Sequence, residues 1–130
     1  MHLPSTRRAS LLTSLASLPL VFGIGLAACS SDGVKAQPCP AKIDAEVQAA
    51  DFKFTPRKLT AKAGTYTVRL SESGAINHTF EIRGVDGKAV VSPSTKTACA
   101  TFTLTAGEYT YFCSVSGHEA AGMKGTLTVS

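Results

Sequence analysis

Between Ala45 and Val129 the chain is cut by turn residues into short runs rich in Thr, Val, Tyr and Phe. That pattern belongs to an all-β sandwich or barrel with little helix. The expected strands are Ala45–Phe54, Leu59–Ala63, Thr65–Ser71, His78–Arg83, Lys88–Val91, Thr97–Thr105, Tyr109–Cys113 and Gly125–Val129. Gly64, Gly74, Asp86-Gly87 and Ala106-Gly107 read as the turns between them. Glu119–Met123 has the length of one helical turn, but the glycines close by argue for a loop. Alternation along each strand assigns the faces. Tyr66, Val68 and Leu70 point one way, and Thr67 and Arg69 the other. His78 shares parity with Phe80 and Ile82, and Cys113 with Tyr109 and Tyr111, so both are expected to point inward. Ala98, Ala100, Phe102 and Leu104 also face in, which leaves Cys99 on the outer side of its strand.

At 130 residues the chain has room for one domain and little more. A charged fraction of 17% excludes a disordered polyelectrolyte and a coiled coil. Gly and Pro show no period, so collagen-like and low-complexity readings fail as well. Residues 1–28 read as an export signal: Arg7 and Arg8, then the uncharged stretch Leu11–Ala28. A retained transmembrane anchor is the competing reading, because 18 apolar residues is the lower limit for a span, and Thr13, Ser14, Ser17 and Pro19 count against it. Leu26-Ala27-Ala28-Cys29 resembles the lipobox of bacterial lipoproteins, which implies a lipid on Cys29. Ser5–Leu11 has a loose likeness to a twin-arginine signal. The expected layout is signal peptide 1–28, lipid anchor and tether 29–44, and a single domain 45–130. Residues 1–28 carry two of the 13 basic residues and none of the 9 acidic ones, so the remaining 102 residues have a charge of +2. No basic stripe with interleaved aromatics remains, and nucleic-acid binding has no support.

The scarce residues are then few. Beyond residue 29 the cysteines are Cys39, Cys99 and Cys113, the histidines His78 and His118, and the one methionine Met123. In an oxidising compartment two thiols can pair and the third needs another explanation. The outward position of Cys99 suits a bond to Cys39, although independent thiols or a bond from Cys113 to either one are open by sequence. Cys113, His118 and Met123 fall within eleven residues. Taken singly they have ordinary readings: His78 as a core histidine, Met123 as a core filler, Gly117 and Gly122 as turn residues. Taken together, a thiolate, a thioether and two imidazoles form the soft set of a trigonal His₂Cys copper site with a weak axial Met. Zinc is the competitor, but Met is not among its usual ligands.

The segment Gly107–Cys113, followed by His118, Met123 and Lys124–Val129, strongly resembles the cupredoxins, the plastocyanin and azurin family. Asn77-His78-Thr79-Phe80 is similar to the family's upstream His motif, and the Cys-x₄-His-x₄-Met spacing is similar to that of rusticyanin. The resemblance implies a Greek-key β-sandwich of about 7–8 strands holding one type 1 copper. His78, Cys113 and His118 would be its strong ligands and Met123 the weak axial one. It further implies that Asn77 braces the ligand loop through Ser114, and that His118 is the electron port within a small apolar rim of Ile76, Ala120 and Ala121.

The function expected is that of an exported, lipid-anchored electron carrier, periplasmic or on the cell surface, and a monomer. Its partners would be redox proteins such as cytochromes or membrane oxidoreductases. A copper carrier or storage protein is the alternative, and a copper-free β-sandwich binding module a third. An enzyme is not expected, because no histidines remain for a second copper centre. Pairing of Cys113 with His118 for thiol hydrolysis would need a pocket that so short a chain has no insertions to build.

Overall fold

The computed structural model describes residues 38–130. The expected signal, Cys29 and the tether as far as Gln37 lie outside the described residues. Nine strands run in order: β1 (Ala45–Ala50), β2 (Lys53–Thr55), β3 (Lys58–Ala61), β4 (Gly64–Glu72), β5 (His78–Ile82), β6 (Val85–Val91), β7 (Thr97–Leu104), β8 (Gly107–Phe112) and β9 (Lys124–Val129). They form a four-stranded sheet in the order β2-β1-β4-β7 and a five-stranded sheet in the order β3-β9-β8-β5-β6. No helix occurs among the described residues. The fold is the all-β sandwich that the sequence predicts, with nine strands where about seven or eight were expected.

The alternation along β7 and β4 holds in detail. Ala98, Ala100, Phe102 and Leu104 are buried while Thr97, Thr101 and Thr103 are exposed. Tyr66, Val68 and Leu70 are buried on β4, and Thr67 breaks the alternation by being buried too, its hydroxyl 3.1 Å from that of Thr101. Between the sheets the rings of Phe54, Phe80, Phe102 and Tyr111 pack with centroids 4.9–5.9 Å apart. Each such side chain contributes about 1.5–3 kcal/mol by leaving water. The Tyr111 hydroxyl donates to Pro56 O at 2.7 Å, so its polar end is satisfied at the core boundary.

Two expected elements differ. The run Ala45–Phe54 is a hairpin, not one strand: β1 and β2 pair with Ala50 opposite Lys53 around the two-residue turn Asp51-Phe52. Both turn residues have positive φ, 42° and 64°, as a primed two-residue turn requires. A bulky Phe there carries no glycine signal to read. Similarly, Asp86-Gly87 is not a turn but lies inside β6, and the chain reverses at Arg83-Gly84, with Ile82 opposite Val85. Gly84 supplies the left-handed residue, at φ 75°. Gly87 is needed for space, because a Cβ there would come within 2.9 Å of the Phe102 ring.

The expected Cys39–Cys99 disulfide is present, closing a loop with a sequence separation of 60. It sits on the outer side of β7, and Cys113 is left as a free, buried thiol.

Candidate metal centre

Strand ends bring the scarce side chains to one end of the sandwich. β5 begins at His78, β8 ends just before Cys113, and β9 begins just after Met123. The β8–β9 ladder pairs Phe112 with Lys124, and the next rung closes with Cys113 N–H donating to Met123 O at 3.1 Å. The loop between them is folded on itself: His118 N–H donates to Val115 O and Met123 N–H to His118 O, each at 3.0 Å. Gly117 and Gly122, at φ 81° and 101°, make the two reversals that this tight path requires. Glu119 pairs with Arg83, whose guanidinium covers the Phe112 ring at 4.6 Å, so the loop is held from outside as well.

Within this frame the ligating atoms of His78, Cys113 and His118 all lie within 4.8 Å of one another. Cys113 Sγ is 3.5 Å from His118 Nδ1, and the two imidazole centroids are 5.1 Å apart. His78, Cys113 and Met123 have no exposed surface, and His118 keeps 7%. Burial holds the His78 imidazole below its usual pKa; Glu72 opposes the shift and His118 adds to it. A neutral ring is the form that can offer a lone pair to a metal.

A soft metal fits this donor set. Neither nitrogen of His78 has a hydrogen-bond partner, although both are fully buried. Such a ring is costly to bury in an ordinary core, whereas a metal would satisfy one nitrogen. A buried thiol without a disulfide partner completes the case, since thiolate with imidazole and thioether selects copper among the common metals.

Bracing of the thiol differs from the expected Asn77–Ser114 pair. Asn77 is exposed on the approach to β5 and does not bond Ser114. Thr79, two residues on, takes that part from within the strand. Its N–H donates to Cys113 Sγ at 3.3 Å, its Oγ1 accepts from Ser114 N–H at 2.7 Å, and the two hydroxyls lie 3.0 Å apart. Ser114 Oγ also donates to Glu81. Thr79 is anchored by the β5–β6 ladder opposite Val90, whereas Asn77 precedes the ladder, which is the physical reason for the change.

Ile76, Ala120 and Ala121 are exposed, as expected for a rim, but the side chain in contact with His118 is Phe52, edge-on with centroids 4.8 Å apart. Phe52 is 44% exposed and stands in the left-handed region, a conformation costing a bulky residue about 1–3 kcal/mol. Nothing in the sequence singled it out, because Ala45–Phe54 reads as one strand and a Phe carries no turn signal. Glu72 was also missed. It ends β4 with the inward parity of Leu70, and its carboxylate is wholly buried with Oε2 3.7 Å from His78 Nε2.

The cupredoxin-like domain family matches residues 19–129. None of the curated proteins matches the chain. Among solved structures, dithionite-reduced auracyanin from Roseiflexus castenholzii is similar at 21% identity and TM-score 0.59, over 70% of this chain and 99% of that one. Auracyanin A from Chloroflexus aurantiacus, described as a "blue" copper protein, is similar at 22% identity and TM-score 0.54, over 65% and 99%. An azurin from the methylotroph Methylomonas sp. strain J gives 17% identity and TM-score 0.58, over 69% and 99%. At these identities the likeness is one of fold. The arrangement of His78, Cys113, His118 and Met123 is that of a type 1 copper site. Because the family match spans both sheets and the loop between Cys113 and Met123, the chain belongs to the cupredoxins.

Proposed function

We propose that the protein is an extracytoplasmic electron carrier, tethered to a membrane by a lipid on Cys29, and not an enzyme. His78, Cys113 and His118 would hold one copper strongly and Met123 weakly. The observation that carries this reading is the convergence of three ligating atoms within 4.8 Å in a buried site. Bound copper supplies a one-electron couple between Cu(I) and Cu(II). The chain's own residues do the rest. The β8–β9 ladder and the folded loop hold Cys113 and Met123 at fixed spacing. The Thr79 N–H stabilises negative charge on the Cys113 sulfur. Burial excludes water, so little around the site must reorient when the charge changes. His118 alone among these four keeps contact with solvent, which makes it the place where a redox protein approaches. The exposed apolar residues Ile76, Ala120 and Ala121, with Phe52 against His118, suit a brief encounter through a limited interface.

The test is colour followed by voltammetry. Purified protein given Cu(II) should turn intensely blue by thiolate-to-copper charge transfer, and Cys113→Ala should abolish the colour. A colourless product sinks the copper reading. A blue protein with sluggish electrode response and ready exchange of Cu(I) would instead be a copper carrier or store.

A further inference from the structure

We propose that Glu72 is the positioning residue of His78. Its carboxylate receives the Nε2–H and thereby leaves Nδ1 as the lone-pair donor of the ring. This role rests on the copper reading of the site and makes Glu72 the group that readies His78 for the metal.

The supporting geometry is independent of any metal. Glu72 lies at the end of β4, opposite Ala49 of β1, with its N–H donating to Lys96 O at 2.7 Å, so its backbone is fixed from two sides. Inward parity sends the side chain into the same end of the sandwich as His78. Both side chains are wholly removed from solvent. One oxygen, Oε1, is occupied by the Gly74 N–H, which locks the orientation of the carboxyl plane. Gly74 has no Cβ to crowd it; one would stand 3.1 Å from Oε1. The other oxygen, Oε2, has no hydrogen-bond partner, and neither has either nitrogen of His78. Oε2 and Nε2 stand 3.7 Å apart. Two buried groups that each lack a partner and face one another complete each other's hydrogen bonding with a small closing movement.

The tautomer decides the chemistry. A neutral imidazole has one N–H and one lone pair, and a carboxylate oxygen has only lone pairs to offer. Glu72 therefore selects the Nε2–H form, and a ligating histidine is held in this way by a partner on its other nitrogen. Without Glu72 the ring would be free to carry its proton on Nδ1, and the metal would have to displace it.

Long-range ¹H–¹⁵N correlation spectra of the copper-free protein test this directly, since they distinguish the two tautomers of His78. The wild type should show Nε2–H, and the Nδ1–H form there would overturn the proposal without any variant being made. Glu72→Gln keeps the shape and an oxygen for Gly74 N–H but turns an NH₂ donor toward Nε2, so His78 should move toward Nδ1–H. Copper affinity should fall about 10–100-fold, with folding checked by circular dichroism. A folded Glu72→Gln protein with unchanged tautomer and unchanged affinity would show that Glu72 merely ties the Gly74 turn. If the wild type takes up no copper, the copper reading fails, while the tautomer still decides what Glu72 does to His78.

Discussion

The backbone N–H of Thr79 donates to Cys113 Sγ across 3.3 Å, joining the residue after one histidine to the thiol 34 positions later. Neither end of that contact depends on a side chain other than the thiol. The Thr79 hydroxyl adds a second tie to the N–H of Ser114. The sulfur is thus held by a strand, and the loop is held by the sulfur's neighbour.

Thr79→Val separates those two ties. It keeps the β-branched shape and the backbone N–H but leaves Ser114 N–H without its acceptor, at a cost of about 1–3 kcal/mol. Urea unfolding should show the loss, and Thr79→Ser should recover most of it. The blue colour should persist in both variants, because the N–H to the sulfur remains.

Replacing Cys39 and Cys99 together with Ser should lower stability by about 2–4 kcal/mol through release of the closed loop. Copper uptake should be unchanged, since Cys99 lies on the outer face of β7, whose other face packs the core. Thiol titration of the unreduced protein should find Cys113 free only after denaturation, with Cys39 and Cys99 silent.

Tyr66 and Tyr111 are each pushed up to about 12 from 10.0, first of all by burial of the phenol. A raised value in the folded state means that the folded protein holds these protons more tightly. Their contribution to stability is therefore complete below pH 10.0 and is lost as the pH rises toward 12. Phenolate absorbance followed against pH should show both rings ionising late and together with unfolding. The Tyr66 hydroxyl has no hydrogen-bond partner, so Tyr66→Phe should be neutral or stabilising, whereas Tyr111→Phe loses the bond to Pro56 O and should destabilise by about 1 kcal/mol.

Gly125→Ala should be among the most damaging single-methyl additions. Its Cβ would lie 2.2 Å from both Cζ and Oη of Tyr111 and 2.5 Å from Arg57 O. Overpacking typically costs about 1–3 kcal/mol, and here the ring is anchored at its hydroxyl while the other contact is backbone, so the upper end is expected. Thermal unfolding measures it.

Much of this was legible from alternation alone. The inward set of β7 and the outward Cys99 follow from a period of two, because β7 alternates regularly along its whole length. What escaped the sequence were features where local preference loses to tertiary packing. Phe52 turns a hairpin in a conformation its side chain disfavours, so Ala45–Phe54 read as unbroken. Glu72 falls one residue past the expected strand Thr65–Ser71, and only the position of His78 across the sandwich explains an acid inside. Asn77 and Thr79 share parity, and which of the two reaches Ser114 depends on where the β5 ladder starts. Gly84 and Gly87 are two glycines with one turn between them, and the packing of Phe102 decides which is which.

The Cys39–Cys99 bond also sets a path for mechanical load. A pull arriving through the chain before Pro38 passes from Cys39 across the sulfurs directly into β7, the longest-paired partner of β4. The hairpin of β1 and β2, which carries Phe52 against His118, lies inside the covalently closed loop. Tension entering at Cys39 therefore bypasses it, and the contact over His118 is insulated from a load on that residue.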